Sequence, residues 1–188
     1  AGGANELVVR ANNEDNPVTG PKPLKDLDYI QYGGIYRDVR LVIKPAVHIT
    51  DEMLSNTPGG GGVFVTYPKA GKAAAVGQVK TEVANTSAAA QLVTLRHALA
   101  WQGKAVGQAQ EQVRLAAGER RHVKLSIALD RPKLWSPRDP NLYTLASTVV
   151  SAAGLDAVTH RIGVRRLAFE GARLLLNGAP LQLRGVNR

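Results

Sequence analysis

Apolar and polar side chains alternate at period two along most of the chain from about residue 63 onward. Val79, Thr81 and Val83 fall on one side of an extended segment, with Gln78, Lys80 and Glu82 on the other. Val93, Leu95, His97, Leu99 and Trp101 repeat the pattern. So do Val123, Leu125, Ile127 and Leu129, set against His122, Lys124, Ser126 and Ala128. A period of two places successive side chains on opposite faces of a strand, so each run predicts a strand with one buried face. Turn-forming pieces, "ANTSAA", "WQGK", "AAGE" and "SPRDPN", separate the runs at short intervals. That spacing is expected of an antiparallel β-sandwich. No segment holds a helical period with caps, and the pattern predicts an all-β chain.

Two stretches break the rhythm. Residues 11–28, "ANNEDNPVTGPKPLKDLD", hold prolines and turn formers with few apolar residues and read as a long surface excursion. Residues 55–62, "SNTPGGGG", read as a flexible loop. Their glycines lack the Gly-Lys-Ser/Thr ending and following helix of a phosphate cradle. Near the end, "LLLNGAPLQLRGV" predicts a tight hairpin, since Asn177-Gly178 supplies the positive φ angles of a type I′ turn between two apolar arms.

Composition adds bounds. The chain has 188 residues and 44% hydrophobic content, enough to bury a core. No apolar run approaches the roughly 18 residues of a membrane span, so no membrane partner is expected. The first residues, "AGGANELVVR", lack the pattern of a secretory signal, and the compartment stays open. Cysteine is absent, which removes disulfides, thiolate ligands and a cysteine nucleophile. The formal charge of +9 raises the question of nucleic acid. The basic residues are scattered singly, aromatics are 5%, and no recognition motif is present, so no nucleic-acid partner is expected.

Candidate chemistry is sparse. His48, His97, His122 and His160 stand far apart without metal-ligand spacing, so no metal site is expected from them. His97 and His160 share parity with apolar neighbours and read as hydrogen-bonded core or rim residues. A Gly-x-Ser-x-Gly elbow is missing, and no pair of acids stands out as acid and nucleophile. Trp135 and Tyr143, in "LWSPRDPNLYTL", could form a sugar-stacking platform, but they fall where a sandwich needs large residues to close its core. The segment "LDYIQYGGIYRDVRLV", residues 27–42, reads as a turn into a strand: Gly33-Gly34 permits a left-handed path, while Ile35, Tyr36, Val39 and Leu41 give an apolar edge. Tyr29, Tyr32, Tyr36 and Arg37 are read as packing and structural hydrogen-bonding residues, with sugar contact as the alternative.

Taken together, "NELVVRANN", "YGGIYRDVRLV", "VKTEVANTS", "LWSPRDPNLYTL" and "HRIGVRRLAFEGARLLLNGAPLQLRGVNR" resemble, in order and spacing, the successive landmarks of glycoside hydrolase family 2, which includes β-galactosidases and β-glucuronidases. The resemblance covers nearly the whole chain. It implies an immunoglobulin-like sandwich over residues 46–165, preceded by the end of a jelly-roll sugar-binding domain over 1–45. It also implies, over 166–188, a linker hairpin and first strand of a (β/α)8 catalytic barrel. In the family's β-galactosidases an aspartate seven residues ahead of the Ile of the "GGIYRDV" motif reaches the active site, beside the galactosyl hydroxyls and a bound sodium ion. Asp28 stands at that spacing from Ile35. A carboxylate can accept from sugar hydroxyls or give oxygen to a hard cation, so Asp28 is the candidate substrate-binding residue, with a sodium ion beside it in the intact enzyme. The sequence departs from the β-galactosidases next to it, with Tyr29-Ile30 where they carry an aromatic one place later.

The expectation is a non-catalytic segment of a retaining β-glycosidase. Retaining hydrolysis needs two carboxyl groups about 5 Å apart. The resemblance places both on later barrel strands, so no catalytic residue is assigned here and the chain alone is expected to be inactive. The implied partners are a carbohydrate substrate and the remaining domains of the same enzyme, with a homo-oligomeric parent left open. The alternative is a free-standing carbohydrate-binding or adhesion sandwich. Such a module should close its own edges, whereas "NELVVRANN" and "LQLRGVNR" read as strands lacking partners.

Overall fold

The computed structural model describes residues 3, 6–11 and 34–186. The chain divides into two units, residues 1–43 and 44–188. In the first unit, the described residues form no strand. Ile35, Tyr36, Val39 and Leu41 are exposed there. Gly34 takes a left-handed φ of 81°, as the turn reading requires. The strand expected after it is not formed by residues 34–43. Side-chain propensity favours a strand only where a neighbouring ladder can accept its backbone groups.

The second unit is all-β. Its strands are β1 (Val47–Ile49), β2 (Val63–Ala70), β3 (Ala74–Asn85), β4 (Gln91–Trp101), β5 (Lys104–Leu115), β6 (Arg120–Asp130), β7 (Tyr143–Ser151) and β8 (Gly154–Ile162). A terminal set follows: β9 (Leu167–Glu170), β10 (Arg173–Leu176) and β11 (Ala179–Pro180). One sheet is centred on β3, which pairs antiparallel with β6 on one side and with β2 and β1 on the other. The second runs β5-β4-β7-β8, all antiparallel, and β9 to β11 make a small third sheet.

The two large sheets face each other through the inward positions that the alternation predicted. Val79 and Val83 from β3, Val93, Leu95 and Leu99 from β4, and Val123, Ile127 and Leu129 from β6 are all buried. They form two clusters, each drawing on both sheets. Tyr67, Val79, Ile127 and Leu129 meet Leu99, Tyr143 and Leu145 in one, and Val47, Ile49, Val83 and Val123 meet Val93, Leu95 and Val149 in the other. Glu82 departs from its expected outward place: it is buried, and Thr50 Oγ1 donates to its Oε2 at 2.6 Å.

The edge strand β2 carries Pro68, which has no N–H to give a ladder. The β2–β3 register shifts between Thr66 and Lys69, so the proline sits at a bulge where its missing donor costs nothing. Tyr67 keeps the inward parity of Val63 and Val65 and lies over Gly77, where a Cβ would lie 3.1 Å from the ring.

A polar strut crosses the apolar core. His97 on β4 is fully buried; its Nδ1 lies 2.9 Å from Ser147 Oγ on β7 and its Nε2 lies 3.2 Å from Thr81 Oγ1 on β3. His97 and Ser147 are direct partners in the β4–β7 ladder, while Thr81 belongs to the opposite sheet. A neutral imidazole has one donor and one acceptor nitrogen, and two rotatable hydroxyls satisfy both. Burial pushes the His97 pKa down from 6.5 to about 4.

Two outcomes are expected. Leu95→Ala, at a fully buried site, should cost about 2–5 kcal/mol, whereas Leu92→Ala on the exposed face of the same strand should stay within about 0.5 kcal/mol; urea unfolding compares them. The His97 contribution should depend on pH. Below 6.5 the unfolded histidine takes up a proton that the folded one refuses until about pH 4, so stability present above 6.5 is lost as pH falls through that window. The loss is on the order of 3 kcal/mol, and His97→Gln should flatten the slope of unfolding free energy between pH 6.5 and 4.

Candidate functional site

The residue assigned chemistry from the sequence, Asp28, lies outside the described residues, as do Tyr29 and Tyr32. Tyr36 and Arg37 are described, with the guanidinium carbon of Arg37 5.4 Å from the Tyr36 ring centroid.

The strut places a serine, a histidine and a threonine in hydrogen-bonding line, which superficially matches a nucleophile and its base. His97, Ser147 and Thr81 are each fully buried, however, so no substrate carbonyl or anomeric carbon can reach the Ser147 hydroxyl. With a pKa near 4 the imidazole is also a weak base. These groups tie the sheets together and do not form a reaction centre.

The buried carboxylates are likewise engaged. Asp156 on β8 accepts from the Ile49 backbone N–H at 2.8 Å and from Lys44 Nζ at 3.2 Å, so it fixes β1 to the facing sheet. Lys44 Nζ also donates to the Ile49 carbonyl at 2.7 Å. Glu82 takes the Thr50 hydroxyl, which in turn accepts from Gly62 N–H at 3.0 Å. His122 Nε2 lies 3.9 Å from Glu82 and 2.9 Å from the Gly60 carbonyl. Among the described residues, no three His, Cys, Asp or Glu side chains are grouped as metal ligands.

The glycine-rich loop is built from consecutive hydrogen-bonded turns. Asp51 caps it, accepting from the N–H groups of Met53 and Leu54 at 2.9 Å each, and these bonds hold its carboxyl below the usual range. Gly60 and Gly61 N–H both donate to the Thr57 carbonyl at 3.1 Å. Their amides therefore point into the loop and not at a ligand. At Gly61 even a Cβ would collide with Ser55, so these glycines serve close packing.

Two grooves open on the unit. One, of about 770 Å³, runs between β2 and the end of β8, with Phe64, Tyr67, His160, Arg161, Arg165 and Arg166 among its lining. The Tyr67 hydroxyl is pushed up to about 12, first by burial and then by Tyr143 nearby, with Arg165 opposing. It therefore stays protonated at neutral pH. The other groove, of about 1480 Å³, lies between the β6–β7 connection and the terminal hairpin, where, among the described residues, Lys72, Arg131, Lys133, Arg138 and Arg184 outnumber the one acid, Asp139. Among the described residues, neither groove brings together the two carboxyl groups, about 5 Å apart, that retaining glycoside hydrolysis needs.

Trp135 and Tyr143 separate in role. Tyr143 is buried as expected; its ring lies 4.8 Å from that of Trp101, and its hydroxyl accepts from Lys133 N–H at 2.8 Å. Trp135 differs from the core reading. It is only half-buried, with its inner side on Gly163 and Arg165 4.8 Å from the ring centroid. Its N–H donates to Val164 C=O at 2.9 Å, so it closes the rim where the chain leaves the sandwich. Ser147 and Asp156 were not singled out from the sequence. Their inward parity was the available signal, obscured by apolar residues on the outer faces of β7 and β8.

Comparison with known proteins places this architecture. The family model for glycosyl hydrolases family 2 matches residues 61–165, from the loop before β2 to just beyond β8. A β-galactosidase of Pectobacterium atrosepticum is 33% identical over 173 residues, covering 88% of this chain and 16% of the relative. A β-galactosidase of Priestia megaterium is 30% identical over 171 residues, covering 88% and 15%. The crystal structure of a Bacteroides uniformis β-glucuronidase matches 94% of this chain and 21% of that one, with a TM-score of 0.69 and 26% identity. A family 2 member from Bacteroides cellulosilyticus matches with a TM-score of 0.63 and 26% identity, over 74% of this chain and 18% of that one. The chain thus spans about one sixth of the length of the curated relatives. Its all-β sandwich and its sequence agree with one assignment: the chain belongs to glycosyl hydrolases family 2.

Proposed function

We propose that this chain is a non-catalytic segment of a retaining β-glycosidase of the β-galactosidase type, which hydrolyses terminal β-glycosidic bonds. Residues 46–165 act as a spacer that holds a sugar-binding domain, ending within residues 1–45, against a catalytic barrel entered through residues 166–188. The observation that carries this reading is the pairing of coverages: 88% of this chain aligns with a β-galactosidase of which it represents only 16%. The charge inventory agrees, because the buried carboxylates of the sandwich are spent on Thr50, Ile49 and Lys44. In this reading Asp28 accepts hydroxyls of the sugar and gives oxygen to a sodium ion beside it, and the acid and nucleophile come from the barrel.

The chain alone should therefore turn over no aryl β-glycoside in a panel of galactosides, glucosides and glucuronides. Turnover that a substitution within the chain abolishes would overturn the reading. In the intact enzyme, Asp28→Ala should lower kcat/KM about ten- to hundredfold with the melting temperature unchanged, the loss expected from about 1.5–3 kcal/mol of charge-assisted hydrogen bonding. Unchanged kinetics would remove Asp28 from the site and leave the spacer role standing.

A further inference from the structure

Asn177-Gly178 is the one Asn-Gly step in the chain. It forms the two-residue turn between β10 and β11, with φ of 53° and 84° and Leu176 paired with Ala179, the positive angles of a type I′ turn. The asparagine does more than turn the chain. Its Nδ2 donates to the Trp135 carbonyl at 3.0 Å, its Oδ1 accepts from Arg166 N–H at 2.9 Å, and its own N–H donates to the Arg166 carbonyl at 2.8 Å. One residue thus joins the terminal hairpin, the segment after β8 and the connection after β6. The amide orientation follows from its partners, since a carbonyl can only accept and a peptide N–H can only donate.

An Asn-Gly step is also the most open setting for intramolecular deamidation, because glycine leaves its peptide nitrogen unshielded. At Gly178 a side chain would meet nothing within 4 Å, so the peptide stands open to water. In the reaction the Gly178 nitrogen attacks Asn177 Cγ, the Cγ–Nδ2 bond breaks, and ammonia leaves with the proton lost from the attacking nitrogen. Water then opens the resulting succinimide at either carbonyl to aspartate or isoaspartate. Attack requires the side-chain amide to swing over the following peptide nitrogen. The bonds to Trp135 and Arg166 hold it toward two other segments instead.

We propose that Asn177-Gly178 is a deamidation site gated by this joint: the amide is protected while the hairpin is docked, and its conversion undocks the hairpin. Aspartate would set a carboxylate oxygen against the Trp135 carbonyl, two acceptors with no proton between them. Isoaspartate would add a backbone carbon to a turn that admits two residues. Either product removes the donor that reaches Trp135, so the change consolidates itself.

The test follows peptide mass spectrometry on the intact protein in mildly alkaline buffer, native and in urea, with the other asparagines of the same digest as internal controls. Conversion at Asn177 should be at least about tenfold slower in the native protein, and equal rates in the two states would overturn the gating. Hydrogen exchange then reads the consequence. In Asn177→Asp, and in wild-type protein aged to partial conversion should that variant fail to fold, the amides of Asn177 and Arg166, whose bonds cross the joint, should exchange at least about tenfold faster, with β4 and β7 unchanged. Unaltered protection at both amides would overturn the undocking.

Discussion

The structure depends on burying the inward faces of β3 and β4 against each other. β3 is the central strand of one sheet and β4 an inner strand of the other, and their inward positions are Val79, Thr81 and Val83 facing Val93, Leu95, His97 and Leu99. Because side chains alternate with a period of two, a slip of one residue in either strand would expose this entire set and bury Gln78 or Arg96 in its place. Burial therefore fixes register, and register fixes which residues reach the loops. Burying a leucine-sized side chain contributes about 1.5–3 kcal/mol, so the inward row supplies the largest stabilising term that the sandwich has.

Against that apolar pattern the buried polar groups are specific fasteners. Thr81, His97 and Ser147 link the two sheets, Asp156 holds the short strand β1, and Asn85 closes one end by donating to the Ala89 and Ala116 carbonyls at 2.8 Å each while accepting from Ser87 N–H at 3.0 Å. Each would be costly without its partners, since a buried unsatisfied polar group loses about 1–3 kcal/mol. Their satisfaction therefore restricts the sheets to one alignment in a way that interchangeable aliphatic contacts do not.

Much of this was legible in the chain, and the boundary of legibility has a physical cause. Alternation is a local signal and it located β3, β4 and β6; the Asn177-Gly178 turn was equally local, because its φ requirement belongs to two adjacent residues. The fate of a polar side chain is decided by partners far along the sequence. Glu82 was placed outside by parity, but Thr50 and His122 make a polar pocket for it, and Trp135 was placed in the core by size, but Arg165 and Gly163 position it at the rim. The run "SNTPGGGG" read as flexible from composition alone, and which neighbours its glycines must admit, Ser55 and Glu52, could not be read from it. The proposed site residue was legible only through the family resemblance. No alternation or turn rule assigns a function to Asp28.

A reaction centre needs polar groups that are desolvated yet unspent, so that binding energy can be applied to a transition state. The buried carboxylates Glu82 and Asp156 and the Thr81–His97–Ser147 strut are paired within the unit, and the exposed grooves carry mainly cations, which can orient an anionic partner but cannot supply both a proton donor and a carboxylate nucleophile. A spacer must be rigid if a loop from one domain is to meet a catalytic barrel with the tolerance that positioning requires, where a displacement on the order of 1 Å is enough to lose about a hundredfold in rate. In the proposed enzyme the fasteners would therefore contribute to catalysis through distance alone.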